Sequence, residues 1–226
     1  MRVARGLTAL LLNVCSCATA MADDAAAWPQ WRGPQRTGQI EAAPWPDKLD
    51  GEHLQQVWRI ELGQSYSGPI VTSDRVFVTE TRNAKTEHVQ ALDRQTGQSQ
   101  WETSWTGSIR VPFFAKANGD WIRSTPAVEG DSIYVAGIRD VVVCLDTATG
   151  TERWRADLMA KFNAAAPTFG FVASPLVRGG HVFVQAGGGF VKLDKKTGEV
   201  VWRTLDDAGG MNGSAFSSPF PATRWK

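Results

Sequence analysis

The segment Leu145-Asp146-Thr147-Ala148-Thr149-Gly150, followed four residues later by Trp154, decides the fold because the chain repeats it. The same pattern, Leu-Asp-x-x-Thr-Gly-x-x-x-Trp, begins again at Leu92 and at Leu193. An Asp carboxylate can accept hydrogen bonds from the backbone N–H groups of such a turn, and Gly can close a short hairpin in the left-handed conformation. The Trp ring can then pack against a neighbouring unit. We therefore predict structural roles for Asp93, Gly97, Trp101, Asp146, Gly150, Trp154, Asp194, Gly198 and Trp202.

A second motif recurs once in each repeat: a Pro that follows small residues and precedes apolar ones. It occurs at Pro69, Pro126, Pro175 and Pro219, and the first three lead into β-branched and aromatic runs such as Ile133-Tyr134-Val135. A period of about 40 to 50 residues with four short strands is typical of a propeller blade. Helical solenoids have similar periods, but Gly and Pro punctuation argues against helices. We predict an all-β chain that forms a partial, open β-propeller of four-stranded antiparallel blades.

The repeats define the expected organisation of the chain. We predict a signal peptide over 1–22, an N-terminal extended segment over 23–52 and the partial propeller over 53–226. Within the propeller we expect a closing strand at 53–62, full repeats at 66–105, 122–158 and 171–206, and an incomplete repeat at 215–226. Because such rings usually hold about seven or eight blades, the sequence resembles the N-terminal part of a longer propeller. Self-association through open blade edges is the alternative.

The first residues indicate export. Arg2 and Arg5 precede an apolar run, and Ala20-Met21-Ala22 offers an A-x-A cleavage site. The run is too short to span a bilayer, so we predict no transmembrane segment. Val14-Cys15-Ser16-Cys17 loosely resembles a lipobox, which would make the protein a membrane-anchored lipoprotein through Cys17. Either reading predicts a protein that leaves the cytoplasm, and cleavage at the A-x-A site predicts a periplasmic or secreted one.

Composition excludes some partners and supports a packed core. The chain has 24 Lys and Arg against 23 Asp and Glu, a formal net charge of +1. Nucleic acid is therefore not an expected partner, because binding phosphates requires a basic excess. Hydrophobic residues make up 42% of the chain, which argues against disorder. Cys144 lies in the apolar run Val141–Leu145 and is predicted to be buried.

The residues show no catalytic or metal-binding constellation. His53, His88 and His181 are widely separated and lack the spacing of zinc ligands. Asp, Asn and Glu form no compact cluster of the kind that holds calcium in EF-hand loops. We predict no catalytic residues, no metal site and no cofactor.

The connections between repeats carry the candidate binding residues. In a propeller these connections meet around one mouth of the central channel, and here they are rich in aromatic, amide and guanidinium groups. An alternative role for the phenylalanines of these connections is to plug the interior of the ring: Phe113, Phe114, Phe169 and Phe171. We predict contact with a protein or polymer ligand at Trp121, Arg123, Asn118, Asn163, Phe169 and Asn212.

The motif A-x-D-x-x-T-G-x-x-x-W, as in Ala91 to Trp101, resembles the repeat of the pyrroloquinoline-quinone-like (PQQ-like) β-propellers. That family includes quinoprotein alcohol dehydrogenases and the propeller lipoprotein of outer-membrane β-barrel assembly. The opening Trp28-Pro29-Gln30-Trp31-Arg32-Gly33-Pro34 is similar to the start of secreted members. The resemblance is specific for fold and weak for function, since one fold hosts many functions.

Two functions follow from the resemblance. We favour a non-catalytic extracytoplasmic scaffold that binds protein or polymer at the propeller face. The alternative is a fragment of a PQQ-dependent alcohol or sugar dehydrogenase, for which the resemblance implies PQQ, calcium and commonly a disulfide of adjacent cysteines. After cleavage at the A-x-A site, the chain would contain no adjacent cysteine pair.

Overall fold

The computed structural model describes residues 27–39, 46–206, 211 and 216–222. Within these ranges, the strands form three four-stranded antiparallel sheets, each paired in chain order. The sheets follow one another as blades, and they do not close into a ring within the described residues. The predicted partial, open β-propeller is therefore confirmed. The predicted signal peptide over 1–22 lies outside the described residues, as does Cys17.

Each blade is one four-stranded sheet. Blade 1 comprises β1 (Ile70–Val71), β2 (Arg75–Arg82), β3 (Thr86–Asp93) and β4 (Ser99–Thr106). Blade 2 comprises β5 (Ala127–Glu129), β6 (Ser132–Gly137), β7 (Val141–Asp146) and β8 (Glu152–Asp157). Blade 3 comprises β9 (Leu176–Arg178), β10 (His181–Ala186), β11 (Gly189–Asp194) and β12 (Val200–Thr204). A 3-10 helix at Phe113–Asn118 and the helix α1 at Leu158–Phe162 lie in the connections.

The three blades share one register. The motif Asp ends the third strand of each blade and faces the first residue of the second strand, in the pairs Arg75–Asp93, Ser132–Asp146 and His181–Asp194. The pairing of the third and fourth strands shifts just before the motif Leu in every blade. Such a bulge strengthens the local twist and bends the strand. The repeats are therefore equivalent in geometry as well as in sequence.

The hydrophobic core lies between the blades. Every residue of β6 is buried, because blade 2 packs against blade 1 on one side and blade 3 on the other. Along β11, buried and half-buried residues alternate, because one face of blade 3 has no neighbouring blade among the described residues. Cys144 is buried in this core, and burial raises the pKa of its thiol to about 11.

The residue before each motif proline links one blade to the next. The N–H of Gly68 donates to the hydroxyl of Thr125 at 3.1 Å, and the N–H of Thr125 donates to that of Ser174 at 3.0 Å. The N–H of Ser174 in turn donates to the hydroxyl of Ser218 at 2.9 Å. The Pro motif therefore places the same hydrogen bond at three successive positions along the array.

Residues 28–38 run along the innermost strands and tie the three blades together. Trp28 bridges to β1, and the carbonyl of Pro29 accepts a hydrogen bond from β5 at 2.8 Å. Arg36, which is 1% exposed, donates to the carbonyls of Ser174 and Pro175 just before β9, at 3.1 and 2.8 Å. Burial lowers the pKa of the Arg36 guanidinium to about 10.

The predicted closing strand, 53–62, forms no ladder with other described residues. Its Trp58 nevertheless contacts blade 1: the ring Nε1 donates to the carbonyl of Arg94 at 2.9 Å, and the ring lies over Gly97. Trp58 thus occupies the position on blade 1 that the last-strand Trp of a preceding blade would take. A strand at 53–62 stays a prediction.

Candidate functional site

The motif carboxylates are engaged by their own turns. One oxygen of Asp93 accepts hydrogen bonds from the N–H of Gln95 at 3.0 Å, the N–H of Thr96 at 2.8 Å and the Thr96 hydroxyl at 2.9 Å. These bonds favour the ionised carboxylate and lower the pKa of Asp93. Asp146 and Asp194 accept the corresponding hydrogen bonds. The three motif carboxylates therefore hold hairpin turns.

Each turn Gly of blades 2 and 3 lies beneath a Trp of the preceding blade. Trp101 Nε1 donates to the carbonyl of Thr147 at 2.9 Å, and a Cβ on Gly150 would lie 2.4 Å from the Trp101 ring. Trp154 makes the same contact with the next turn, where a Cβ on Gly198 would lie 2.5 Å from its ring. Both glycines also have φ above +70°, a conformation that other residues adopt only with strain.

Trp202 of blade 3 has no such turn to cover among the described residues. It is 37% exposed, against 8% for Trp154. Its ring packs on Phe183 and Phe190 of its own blade, with centroid distances of 6.2 and 5.5 Å. Tyr134, which occupies the position of Phe183 in blade 2, is 1% exposed. Blade 3 therefore presents a half-exposed aromatic face.

Two buried carboxylates that sequence reasoning missed also join the blades. Glu87, in β3, is 1% exposed. Its Oε2 accepts from the ring N–H of Trp105 at 2.6 Å, and its Oε1 accepts from the N–H of Ile138 in blade 2 at 2.7 Å. Burial raises the pKa of Glu87.

Asp140 is the counterpart of Glu87 in blade 2. Each acid lies six residues before the motif Asp of its blade. Oδ2 of Asp140 accepts from the N–H of Gly187 in blade 3 at 2.7 Å, whereas Oδ1 is buried without a hydrogen-bond partner among the described residues. Burial raises the pKa of Asp140 to about 6. The corresponding residue of blade 3 is Gly188.

Phenylalanines from successive connections form a row at the mouth of the propeller. Phe113 lies edge to face with Phe114 at 5.6 Å, Phe114 is 6.3 Å from Phe169, and Phe169 is 6.0 Å from Phe216, measured between ring centroids. Phe113 is 88% exposed, whereas Phe171 is fully buried. The interior role that the sequence left open therefore fits Phe171 and not Phe113.

A groove with a volume of about 740 Å³ lies beside this row. It is lined by Arg110, Val111, Phe113, Lys116, Gly119, Asp120 and Trp121. A second groove of about 550 Å³ shares Arg110, Val111 and Phe113 and extends to Arg139 on the β6–β7 hairpin. We call the two together the mouth groove. It combines the exposed ring of Phe113 and the half-buried ring of Trp121 with three basic side chains and one acidic side chain.

Arg123 lies behind the mouth groove. Its Nη2 donates to the carbonyl of Asn118 at 3.1 Å and to that of Gly119, and its guanidinium lies 5.5 Å from the ring centroid of Tyr66. Burial lowers the pKa of Arg123. This geometry fixes the connection that carries Trp121, so any ligand contact by Arg123 stays a prediction.

The structure places the other predicted binding residues in different surroundings. Trp121 lines the mouth groove, and the exposed Asn118 ends the 3-10 helix beside it. Phe169 belongs to the aromatic row. Asn163 caps the C-terminus of α1 with a φ of 49° and lines neither part of the groove. Asn212 lies outside the described residues.

Nowhere among the described residues do three His, Cys, Asp or Glu side chains come together to hold a metal ion. The carboxylates of Glu87 and Asp140 face backbone N–H groups of the next blade, and residues 28–38 cover the inner strands. Within the same residues, no helix is long and apolar enough to cross a membrane.

The repeated joints define the chain as a PQQ-like β-propeller protein. The model of the family described as outer membrane protein assembly factor BamB matches residues 48–111 and 85–223. The chain belongs to this family.

Individual relatives have diverse names. The chain is 29% identical over 160 residues to serine/threonine-protein kinase AfsK of Streptomyces griseus. This alignment covers 68% of this chain and 18% of that protein. It is 27% identical over 184 residues to BamB of Burkholderia pseudomallei, covering 67% of this chain and 46% of that protein. The chain thus spans less than half the length of either curated relative.

A solved structure shares the fold. Quinohemoprotein alcohol dehydrogenase from Comamonas testosteroni matches 82% of this chain and 28% of its own, with a TM-score of 0.56 and 22% sequence identity.

Proposed function

We propose that the chain is a non-catalytic extracytoplasmic scaffold that binds a protein or polymer at the mouth of its propeller. The observation that carries this proposal is the contrast between the polar side chains of the interior and the aromatic side chains of the mouth. The interior carboxylates and hydroxyls join blades to one another, whereas Phe113 and Phe114 of the mouth are 88% and 63% exposed. Contiguous exposed apolar side chains mark binding surfaces.

Family membership supports a protein partner outside the cytoplasm. A relative that covers 67% of this chain is named an outer membrane protein assembly factor, and such a role requires contact with other envelope proteins. We therefore propose a periplasmic or secreted location. The half-exposed face around Trp202 supports self-association as a further mode of binding.

Site-specific photo-crosslinking in envelopes of the native host tests the scaffold. A photoreactive phenylalanine analogue at position 113 should give discrete crosslinked products. The matched control places the analogue at Gln95, which is exposed in a turn at the opposite end of blade 1. Products of equal yield and size from both positions would contradict binding at the mouth.

Cofactor titration tests the dehydrogenase alternative. Calorimetry with PQQ and calcium should show no saturable binding, and dye-linked assays should show no alcohol oxidation. Saturable binding of the quinone together with turnover would replace the scaffold proposal.

A further inference from the structure

We propose that the mouth groove binds an acidic polypeptide segment that carries an aromatic or large aliphatic side chain. The groove presents Arg110, Lys116 and Arg139 around the exposed ring of Phe113, against one carboxylate, Asp120. This inference rests on the proposed scaffold function and names the chemistry of its partner.

The groove cations differ from those on the blades. None of Arg110, Lys116 and Arg139 has an ion-pair partner in the part of the chain that the structure describes. By contrast, Arg153 bridges two aspartates and Arg82 bridges two glutamates. Three cations against one carboxylate leave a surplus of two positive charges at the groove, which attracts an anionic partner.

Phe113 provides an apolar anchor beside these charges. Phe113 is 88% exposed, and leaving a large apolar side chain in water forgoes the favourable free energy of its burial. Trp121 forms another wall of the same groove. Aromatic side chains next to arginines are the typical composition of sites that dominate binding energy in protein interfaces.

An apolar ring beside cations favours a peptide over an acidic sugar chain. A peptide supplies carboxylates together with a large apolar side chain that can pack on the exposed ring of Phe113. The planar guanidinium groups of Arg110 and Arg139 can bind carboxylates through two parallel hydrogen bonds.

Fluorescence anisotropy with synthetic peptides tests this inference on the full chain. A labelled peptide rich in Asp and Glu with interspersed Phe should bind saturably. The same peptide with Ala in place of Phe should bind about tenfold more weakly, because it lacks the anchor. A peptide with Lys in place of the acidic residues should not bind.

Variants locate the binding site. Arg110→Glu and Arg139→Glu should each weaken binding of the acidic Phe peptide about tenfold, as should Phe113→Ser. The matched control Lys196→Glu reverses an exposed charge in the D-x-x-T-G turn of blade 3 and should leave the affinity unchanged. Circular dichroism checks that each variant keeps the fold.

Each of the following peptide results would overturn the inference: no binding of the acidic Phe peptide, equal binding of the Lys peptide, or full competition by alginate, an acidic polysaccharide. Equal losses in Lys196→Glu and Arg110→Glu would also overturn it. If position 113 still gives crosslinked proteins in the envelope, the scaffold function stands and the acidic class of partner alone fails. If position 113 gives no crosslinks either, the scaffold proposal fails as well.

Discussion

The joint between blades 1 and 2 and the joint between blades 2 and 3 use the same repeat position with acids of different length. Glu87 satisfies two buried donors, one in its own blade and one in the next. Asp140 is one methylene shorter and satisfies a single donor, the N–H of Gly187, which leaves its second oxygen buried without a partner among the described residues. Equivalent positions in a repeat protein can therefore carry the same contact at different free-energy cost.

The largest effect is expected from removing these acids. Glu87→Leu would leave two buried N–H groups without acceptors and should lower the free energy of unfolding by about 4 kcal/mol. Asp140→Leu would leave one buried N–H without an acceptor and should lower the free energy of unfolding by about 2 kcal/mol. Urea unfolding measures both, with the exposed Glu199→Ala as the control. Equal losses at the two joints would remove the distinction between them.

The two turn glycines are expected to give equal effects, smaller than the effect of removing Glu87 and larger than that of removing Asp140. Gly150→Ala and Gly198→Ala would each push a Cβ into a Trp ring and should destabilise the protein by about 3 kcal/mol. Gly130→Ala is the matched control, because Gly130 has a φ of +62° but no atom near its Cβ position; strain alone should cost about 1 kcal/mol. Similar losses in all three variants would show that backbone strain, and not the Trp contact, dominates.

The smallest effect concerns the charge of Asp140. Its pKa of about 6 in the folded protein lies above the ordinary value of 3.8, so the folded state holds this proton more tightly than the unfolded state. Its contribution to stability is therefore present at low pH and is lost as the pH rises from about 4 to about 6. Asp140→Asn keeps an acceptor for Gly187 and removes the titration.

Thermal unfolding across this pH range checks the predicted direction of the change in stability. Relative to the parent protein, Asp140→Asn should gain stability as the pH rises from acidic to neutral. Glu87 titrates in both proteins, so its contribution cancels in the difference. A difference that does not change with pH would mean that Asp140 keeps the same charge throughout.

The sequence predicts the blades because their signals are local. The turn residues and the Trp recur at fixed spacing, so three copies such as those ending at Trp101, Trp154 and Trp202 identify the repeat without any knowledge of contacts. The short helices at Phe113–Asn118 and Leu158–Phe162 lie outside the repeat and carry no recurrent signal. The sequence therefore does not predict them.

The site was harder to predict because its chemistry depends on burial. Within β3, Glu87 follows Thr86 and precedes His88, a polar setting typical of a solvent-exposed strand end. Aligning the repeats on Asp93 and Asp146 places Glu87 and Asp140 at the same repeat position. An acid that recurs at one repeat position is the sequence signal that could identify this joint. Aromatic residues of the connections were recognised, but no sequence pattern separates the exposed Phe113 from the buried Phe171.

Trp58 gives the array a direction. If copies stacked head to tail, the Trp202 of one copy would have to enter the Gly97 turn of the next, and Trp58 already fills that place. Open-ended stacking of identical units produces filaments, as in other non-closing interfaces. One indole ring from outside the blades therefore occupies the place on blade 1 that head-to-tail stacking would require.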